Sequence, residues 1–485
     1  MTTTSQKKRG VATNSILLAF VQCLTMVTGI LQTMILSRAL TETEYGTYSQ
    51  GMLIVNFLVP FLLLGLANGI TYFSGQKEIS KSEYISTILT IIIILGSAGA
   101  VGIIVFSQGI QSYFNNSGLA GIIPIVAILP LLLNLITAYQ TLFIAEDMAL
   151  SIAIRNAVVA VAQISIVAVS VLVFHDIRLI FSLLVAMDLA QVIIFVAVFQ
   201  KRKYAVKLRK PQKEIVRKIF AYSIPLALST AIGTLSVYMD KLLIGRMMSV
   251  EDFALYSNMS KELPFAFIVS SFTTVIMPAF IRMHAEGEDD KLKKYWGRYL
   301  ELGMHITWIL CGAAIFCAKD LLLFLYSEKY ARGIAVFVIY LVVEMCRYSY
   351  FGMILSVFGK TRIIMFSSLA SLVCNFILNI ILFNWLGMIG PALASLISIL
   401  IMEIMQIAFS CRLLKCKWTE VVNHVHIFTL VIELCIVGFA VQYLMRFLSL
   451  DPILSLILGG GLIAATVGGI NWKRIYGLIK EINSI

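Results

Sequence analysis

The stretch ILSRALTETEYGTYSQ, residues 35–50, has a counterpart 208 residues later in LIGRMMSVEDFALYSN, residues 243–258. Six pairs of identical or chemically similar residues fall in one register, which indicates an internal repeat rather than a chance likeness. The pairs are Arg38 with Arg246, Glu44 with Asp252, Tyr45 with Phe253, Tyr48 with Tyr256, Ser49 with Ser257 and Gln50 with Asn258. Each copy follows a long apolar segment, so the repeat predicts two halves of similar fold.

The apolar segments recur along the whole chain, and each is about as long as a lipid bilayer is thick. The composition is 59% hydrophobic and 13% charged, with a mean hydropathy of +0.92. About 20 apolar residues cross the hydrocarbon core as a helix that satisfies its own backbone groups. The sequence therefore predicts an all-α polytopic membrane protein with about fourteen transmembrane helices. The predicted spans are 12–36, 47–74, 85–107, 120–144, 150–173, 179–200, 219–245, 253–281, 298–319, 333–357, 362–384, 388–410, 424–446 and 452–470.

The position of the repeat predicts how the two halves are related. Six predicted spans separate the copies, an even number, so both copies have the same orientation in the membrane. A parallel repeat has its axis along the membrane normal, which predicts two pseudo-symmetric six-helix lobes around a central cavity plus two C-terminal helices. The predicted domains are residues 1–218 with a basic linker, residues 219–415, and residues 416–485, whose tail has the pattern of an interfacial helix.

The distribution of basic residues predicts the orientation. Of the 38 Lys and Arg residues, 28 fall on the side of the two termini and seven on the other side. Basic residues accumulate on the cytoplasmic side, so both termini are predicted in the cytoplasm and the protein in the cytoplasmic (inner) membrane. Nine of the basic residues lie in the linker 201–218. The net charge of +12 is then explained by contact with anionic membrane lipids, and no nucleic-acid partner is expected.

Two short motifs resemble a known family. Ser37 begins the pattern Ser-Arg-x-Leu-(x)4-Tyr-Gly-x-Tyr-Ser, and Asp240 begins Asp-Lys-Leu-Leu-Ile-Gly. Both resemble the polysaccharide-flippase branch of the multidrug/oligosaccharidyl-lipid/polysaccharide (MOP) exporter superfamily, which includes the Wzx-type O-antigen and capsule flippases. The resemblance implies translocation of an undecaprenyl-diphosphate-linked oligosaccharide to the outer leaflet. It also implies polysaccharide polymerase or assembly proteins as partners.

Basic side chains near the spans are candidates for binding such a substrate. Charges inside the membrane are expensive and mark functional sites, and a diphosphate requires cations in its path. Lys241 and Lys261 provide point charges there. Arg38 and Arg246, at the outer ends of spans one and seven, provide either bidentate phosphate contacts or anchors at the membrane interface. The candidates for substrate binding are Lys241, Lys261, Arg38, Arg246 and Gln32.

Acidic residues inside the spans are candidates for coupling. Asp240 continues a stripe of small and polar residues on span seven, and Gln32 is its repeat counterpart on span one. Such stripes line either an aqueous cavity or a tight helix contact. Asp240 either pairs with Lys261 or binds a coupling proton or sodium ion, while Glu344 and Arg347 form either a structural pair or part of a site. The candidates for ion coupling or gating are Asp240, Asp188, Glu262 and Glu344.

The other polar residues suggest no further chemistry. Glu403 and Glu433 are expected to be packing or boundary residues. The five histidines and eight cysteines lack metal-ligand spacing, and no nucleotide or nucleophile motif is present, so no metal and no cofactor are expected.

Three functions remain as alternatives. A lipid-linked oligosaccharide flippase fits the intramembrane lysines and the fourteen spans. A MATE-like multidrug or cation antiporter of the same superfamily would have fewer spans and a more acidic cavity. A polysaccharide polymerase or ligase would need a large outer loop, and no predicted outer loop exceeds about 15 residues. A transporter rather than an enzyme is therefore expected.

The orientation can be tested with reporter fusions. Fusions at Lys207 and Glu288 should report the cytoplasm, because most of the basic residues lie on that side. Fusions at Glu42 and Lys329 should report the outside. Alkaline phosphatase and a fluorescent protein, which are active on opposite sides, provide the measurement. An external signal from the linker 201–218 would contradict both the span count and the parallel repeat.

Overall fold

The computed structural model describes residues 11–74, 81–146, 148–201 and 212–482. These residues form α-helices joined by short turns and by brief 3-10 or π segments, which confirms the prediction of an all-α protein. Eleven helices in the described ranges are long and apolar enough to cross a membrane. The N-terminal tail to residue 10, most of the basic linker and residues 483–485 lie outside the described residues.

The helices are numbered in chain order. The first nine are α1 Val11–Ala39, α2 Glu42–Leu63, α3 Leu66–Ser74, α4 Lys81–Val105, α5 Ser107–Phe114, α6 Ile123–Val126, α7 Leu129–Ala145, α8 Ala149–Ala168 and α9 Ile177–Lys201. The next are α10 Lys213–Met247, α11 Val250–Met259, α12 Phe265–Ala285, α13 Asp289–Phe316, α14 Ala318–Leu325, α15 Ile334–Cys346 and α16 Met353–Val357. The last are α17 Thr361–Leu386, α18 Ile389–Leu413, α19 Trp418–Val421, α20 His424–Leu448, α21 Pro452–Ile470 and α22 Trp472–Ile482.

The chain divides into two units. The first contains residues 1–238 and 245–254, and the second contains residues 239–244 and 255–485. Helix α10 therefore contributes to both units: its residues 239–244 belong to the second unit and the rest of the helix to the first. The domain boundaries predicted from the sequence, at residues 218 and 415, stay a prediction.

The first unit is built on one apolar core. Helices α3, α4, α7 and α9 pack around fully or nearly fully buried side chains that include Leu66, Ile88, Tyr139 and Phe195. The start of α10 closes this core with Ile219. Helix α1 packs along α8 on the same unit. Buried apolar side chains in close contact are what holds helices together once the backbone is satisfied.

The two copies of the repeat have the same helix boundaries. Helix α1 ends at Ala39 and α2 begins at Glu42, and α10 ends at Met247 and α11 begins at Val250, each pair 208 residues apart. The reason is capping. The hydroxyl of Thr41 accepts from the backbone N–H of Glu44 at 3.2 Å.

Ser249, the repeat counterpart of Thr41, accepts in the same way from the N–H of Asp252 at 3.1 Å. The pairing of Glu44 with Asp252 therefore has a physical cause, since an acidic residue in the first turn favours a helix N-terminus. The two copies also touch within the first unit: the hydroxyl of Thr43 donates to Glu251, its own repeat counterpart, at 2.5 Å.

The second unit has its core around α13. Trp296 and Tyr299 of this helix are buried against α12, α20, α21 and α22, with Phe280 and Leu430 among the contacts. Helices α17 and α18 pair along a buried polar seam. There the hydroxyl of Ser371 donates to the carbonyl of Ser398 at 2.7 Å, an interhelical bond of the kind that joins membrane helices.

The C-terminal tail forms the predicted helix, but its apolar face packs on protein. Ile475 and Leu478 of α22 are buried in the core of the second unit. Arg474 donates to both carboxylate oxygens of Glu301 on α13, at 2.7 and 2.9 Å. Trp472, at the start of the helix, stays exposed. The pattern that predicted an interfacial helix thus arises in part from contact with α13.

Three predicted spans are broken helices, besides span 120–144, which has a short gap between α6 and α7. Span 47–74 divides at Leu64 and Gly65, both with positive φ. Span 253–281 is interrupted at residues 260–264, where Pro264 lacks an N–H and disfavours helix before it. Span 333–357 is interrupted between α15 and α16.

At the interruption between α15 and α16, side chains of α13 satisfy the backbone groups that the helix leaves unpaired. Tyr299 accepts from the N–H of Tyr350 at 3.2 Å, and Trp308 donates to the carbonyl of Met345 at 2.7 Å. Span 333–357 is consequently absent from the eleven helices, since α15 has 13 residues. Predicted span 12–36 is covered by α1, and span 253–281 by α11 and α12.

The contact between the two repeat copies predicts a stability effect. A Cβ at Gly46 would lie 2.3 Å from the carbonyl oxygen of Val250, so a backbone shift must accompany it. Gly46→Ala should destabilise the protein by about 1–3 kcal/mol, the range for overpacking. Thermal unfolding in detergent provides the measurement. Gly29→Ala is the control, because its Cβ would meet nothing within 4 Å; equal melting temperatures for both variants would contradict the contact.

Candidate functional site

A buried carboxylate held by two tyrosines is the most distinctive polar feature of the second unit. Asp240, on α10, is 3% exposed. Its Oδ2 accepts from the hydroxyl of Tyr256 on α11 at 2.9 Å and from the hydroxyl of Tyr340 on α15. The two hydroxyls are 3.1 Å apart and their rings meet edge to face at 6.1 Å. Three helices are thus joined at one acidic group.

The arrangement follows from local sequence. Helix α11 begins two residues after α10 ends, so the chain reverses and brings Tyr256 back beside Asp240. In the first unit the repeat counterparts are Tyr48 and Gln32. Tyr48 packs against Phe181 at a ring distance of 5.4 Å. An ionisable group therefore occupies this repeat position in only one half of the chain.

Two lysines lie next to this carboxylate in sequence or in space. Lys241 follows Asp240 on α10 and lies within range of the charges of Asp240, Lys261 and Glu262. Lys261 and Glu262 lie in the interruption between α11 and α12, where the chain is not helical. Both lysine side chains are half-buried. The structure thus brings four of the predicted site residues into one neighbourhood of the second unit.

The second helix interruption adds an ion pair. Arg347, at the end of α15, forms an ion pair with Glu262. The sequence left open a structural pair between Arg347 and Glu344 on one helix; the structure instead gives Arg347 a partner in another segment. Non-helical backbone at membrane depth is tolerated where it is buried in protein or lines a water-filled cavity, and such interruptions commonly form transport sites.

Two further carboxylates lie near Arg347. Glu344 is 4% exposed, and its Oε2 lies 4.0 Å from the thiol of Cys311. Glu403 on α18 is 6% exposed and within range of the charge of Arg347. The sequence predicted Glu403 as a packing or boundary residue, and its burial agrees, but the charge of Arg347 nearby makes it part of a charged cluster. Burying so many charges is costly unless they compensate one another.

Asp188 belongs to a separate network in the first unit. Its Oδ1 accepts from the side-chain amide of Gln191 at 2.8 Å. Gln191 in turn accepts from the guanidinium of Arg155, whose other nitrogen donates to Asn156 at 2.8 Å. Arg155 lies on α8, inside a predicted span, although the charge distribution treated it as a surface residue. Asp188 and Arg155 are thus linked through Gln191, and each lies within range of the other's charge.

The arginines of the repeat have different surroundings. The guanidinium of Arg246 donates to the carbonyl of Ser112 at 2.9 Å and lies 5.8 Å from the ring centre of Tyr113. Arg246 therefore anchors the end of α10 to α5 within the first unit. Arg38 is exposed at the C-terminal end of α1, where a cation complements the helix dipole, and Gln32 is half-buried on the same helix.

Tyr256 and Tyr340 are candidate site residues that the sequence analysis did not select. A tyrosine in an apolar span resembles a core aromatic, and Tyr340 has no repeat partner to single it out. Tyr256 had a signal, since it is one of the six matched pairs. In the described part of the chain, no cluster of His, Cys, Asp and Glu is arranged to hold a metal ion.

Comparisons with known proteins identify the family. The model of the family described as "Polysaccharide biosynthesis protein" matches residues 35–335, more than half of the chain. No curated protein sequence matches the chain. The fold is similar to that of the lipid II flippase MurJ in an inward closed conformation, with a TM-score of 0.73 at 14% identity, covering 96% of this chain and 100% of that one.

Two other solved structures have a similar fold. An inward-facing multidrug resistance MATE family transporter of the MOP superfamily aligns with a TM-score of 0.65 at 12% identity, covering 82% of this chain and 99% of that one. A MOP superfamily transporter from Pyrococcus furiosus, described as having a binding pocket of reversed polarity, aligns with a TM-score of 0.58 at 14% identity, covering 83% and 94%.

The protein is thus a multi-pass membrane protein with the fold of the MOP-superfamily transporters. The chain belongs to the polysaccharide biosynthesis protein family. The family match confirms the resemblance to a polysaccharide family, and the fold is the one expected of a transporter of the MOP superfamily.

The two tyrosines should stabilise the protein through the carboxylate. Tyr256→Phe and Tyr340→Phe should each lower the free energy of unfolding by about 1–3 kcal/mol, because each leaves a buried charge with one donor fewer. In an Asp240→Asn background each cost should shrink to about 1 kcal/mol or less, the value for neutral partners. Thermal unfolding in detergent measures both, with Tyr443→Phe, on an exposed tyrosine, as the control. The same cost in both backgrounds would contradict the network.

Proposed function

We propose that the protein is a flippase that moves undecaprenyl-diphosphate-linked oligosaccharide units across the cytoplasmic membrane for surface polysaccharide synthesis. The family match supports a role in polysaccharide biosynthesis. The similarity of fold to a protein named as a lipid II flippase supports a lipid-linked cargo. In this proposal the chain has fourteen spans, both termini lie in the cytoplasm, and transport proceeds by alternating access of two six-helix lobes to a central cavity.

The observation that carries the proposal is the set of basic side chains at interrupted helices. Lys261 and Arg347 lie at breaks in the second unit, and Lys241, on α10, lies within range of the charge of Lys261. A diphosphate needs positive charge along its path, and lysine and arginine provide the strongest donors for it. Arg38, Arg246 and Gln32 of the first unit are proposed as further contacts toward the outer rim.

Acidic residues provide the means to release and re-form these contacts. Glu262 pairs with Arg347, so an arriving phosphate must compete with a carboxylate for the same guanidinium. Protonation of buried carboxylates, or binding of a cation beside them, would change that competition. We assign Asp240, Glu262 and Glu344 to this coupling role, and Asp188 to the equivalent role in the first unit.

A second function deserves a test because MATE transporters share the fold. A multidrug or cation antiporter would use the same carboxylates to bind a cationic drug. Deleting the gene separates the two: loss of a surface polysaccharide with unchanged drug resistance supports the flippase, and the reverse result supports the antiporter. A deletion strain that keeps both the surface polysaccharide and its drug resistance would contradict both functions.

The role of the lysines can be tested by complementation of the deletion strain. Lys241→Gln and Lys261→Gln should each reduce polysaccharide export about tenfold or more, the size of one lost charge-assisted hydrogen bond. Lys→Arg at either position should retain more export, because the charge is kept. Lys360→Gln, at an exposed lysine before α17, is the control. Full export by the Lys241→Gln/Lys261→Gln double variant would overturn the proposed role of these cations.

A further inference from the structure

A cavity of about 380 Å³ lies in the second unit, and none of the residues assigned above to substrate binding or coupling lines it. Its walls come from the end of α13, α14, α15, α20 and α21. The lining is mostly apolar, with Phe316, Val338, Met445 and Ile463 among its members. A volume of this size is in the range of small-molecule binding sites.

The polar residues of the cavity collect at one end. Lys319 follows the end of α13, and Arg446 lies two residues before the end of α20. Both side chains are exposed, and within the described part of the chain neither forms an ion pair. Asp320, the one acidic residue of the lining, accepts from the hydroxyl of Ser455 at 2.7 Å. The mouth therefore has an excess of positive charge.

The mouth lies at the ends of α20 and α21, where lipid headgroups are expected, and the walls follow these helices toward the hydrocarbon region. Val441 lies seven residues before the end of α20 and Ile463 eleven residues after the start of α21. At the rise of an α-helix these residues are about 10 and 16 Å below the ends. Beside the mouth, Tyr443 and Phe447 are 76% and 80% exposed, as expected of side chains that face lipid.

From this geometry we propose that the cavity binds a membrane phospholipid with an anionic headgroup, its phosphate at Lys319 and Arg446 and its acyl chain along the apolar walls. A soluble anion would match the mouth but leave the walls empty. A zwitterionic lipid would fill the walls but gain less from two cations. The site does not depend on the proposed flippase function, since no residue assigned to transport lines it.

Native mass spectrometry of the purified full-length protein tests this site. Wild-type protein should retain one dioleoyl-phosphatidylglycerol in preference to dioleoyl-phosphatidylcholine. The Lys319→Gln/Arg446→Gln variant should bind phosphatidylglycerol about thirtyfold more weakly, because each basic side chain near a headgroup contributes about fivefold. The Lys473→Gln/Lys480→Gln variant makes the same charge change on exposed residues of α22 and should bind as wild type does.

A second pair of variants tests the apolar walls. A side chain at Gly459 would point toward Met445 and Cys317 in the cavity, whereas a Cβ at Gly461 on the same helix meets nothing within 4 Å. Gly459→Leu should abolish retention of phosphatidylglycerol, and Gly461→Leu should not. Equal thermal unfolding of the two confirms that the loss is local.

Three results would overturn the proposal. Equal retention of the two lipids by wild type would remove the charge selectivity. Unchanged binding by the Lys319→Gln/Arg446→Gln variant would remove the headgroup contact. Displacement of phosphatidylglycerol by inorganic phosphate at equal concentration would identify the site as one for a free anion.

Discussion

The structure depends on one constraint: a charge placed inside a membrane protein must be compensated by its neighbours. Asp240 meets this constraint with two tyrosine hydroxyls from α11 and α15. Because the donors come from different helices, the carboxylate fixes the position of α11 and α15 relative to α10. Glu262 and Arg347 meet the same constraint by pairing across two helix interruptions. A change at any of these groups alters both the local charge and the helix arrangement, which is the property that a transport site requires.

The internal repeat determines the helix boundaries of both halves, and the proposed site residues occur where the two copies differ. The two copies share their helix boundaries, and equivalent residues cap the second helix of each hairpin. They differ where function is proposed: Gln32 in one half corresponds to Asp240 in the other. The interruption before Pro264 lies at a position where α2 of the first unit continues unbroken. The two halves thus share an architecture, but the ionisable group and the helix interruption occur in only one of them. That half can therefore respond to a ligand or to a change of charge.

Much of the fold could be predicted from the sequence, because apolar length and helical capping are local signals. The eleven membrane-length helices coincide with predicted spans, and the repeat register is reproduced at its helix boundaries. Helix interruptions were harder to predict. The predicted spans continue through Leu64–Gly65 and through residues 347–352. At the second of these breaks, the tertiary partners Tyr299 and Trp308 satisfy the freed backbone groups.

The ionisable residues of the site could be predicted from the sequence, but their hydrogen-bond and ion-pair partners could not. Ionisable residues within apolar spans are conspicuous in any sequence, so Asp240, Glu262 and Asp188 could be selected. Their partners could not: Tyr340 is 100 residues from Asp240, and Arg347 is 85 residues from Glu262. Arg155 appeared to be a surface charge until α9 brought Gln191 and Asp188 beside it. Side-chain pairing across helices depends on packing, which no periodicity encodes.

The most direct test is transport by the purified protein in vesicles. An undecaprenyl-diphosphate-linked oligosaccharide is incorporated, and a glycosidase that cannot cross the bilayer digests what reaches the outer leaflet. If the protein is a flippase whose membrane cations hold the diphosphate, wild-type vesicles should become fully digestible while Lys241→Gln/Lys261→Gln vesicles remain about half protected. Equal digestion in wild-type, variant and protein-free vesicles would contradict it.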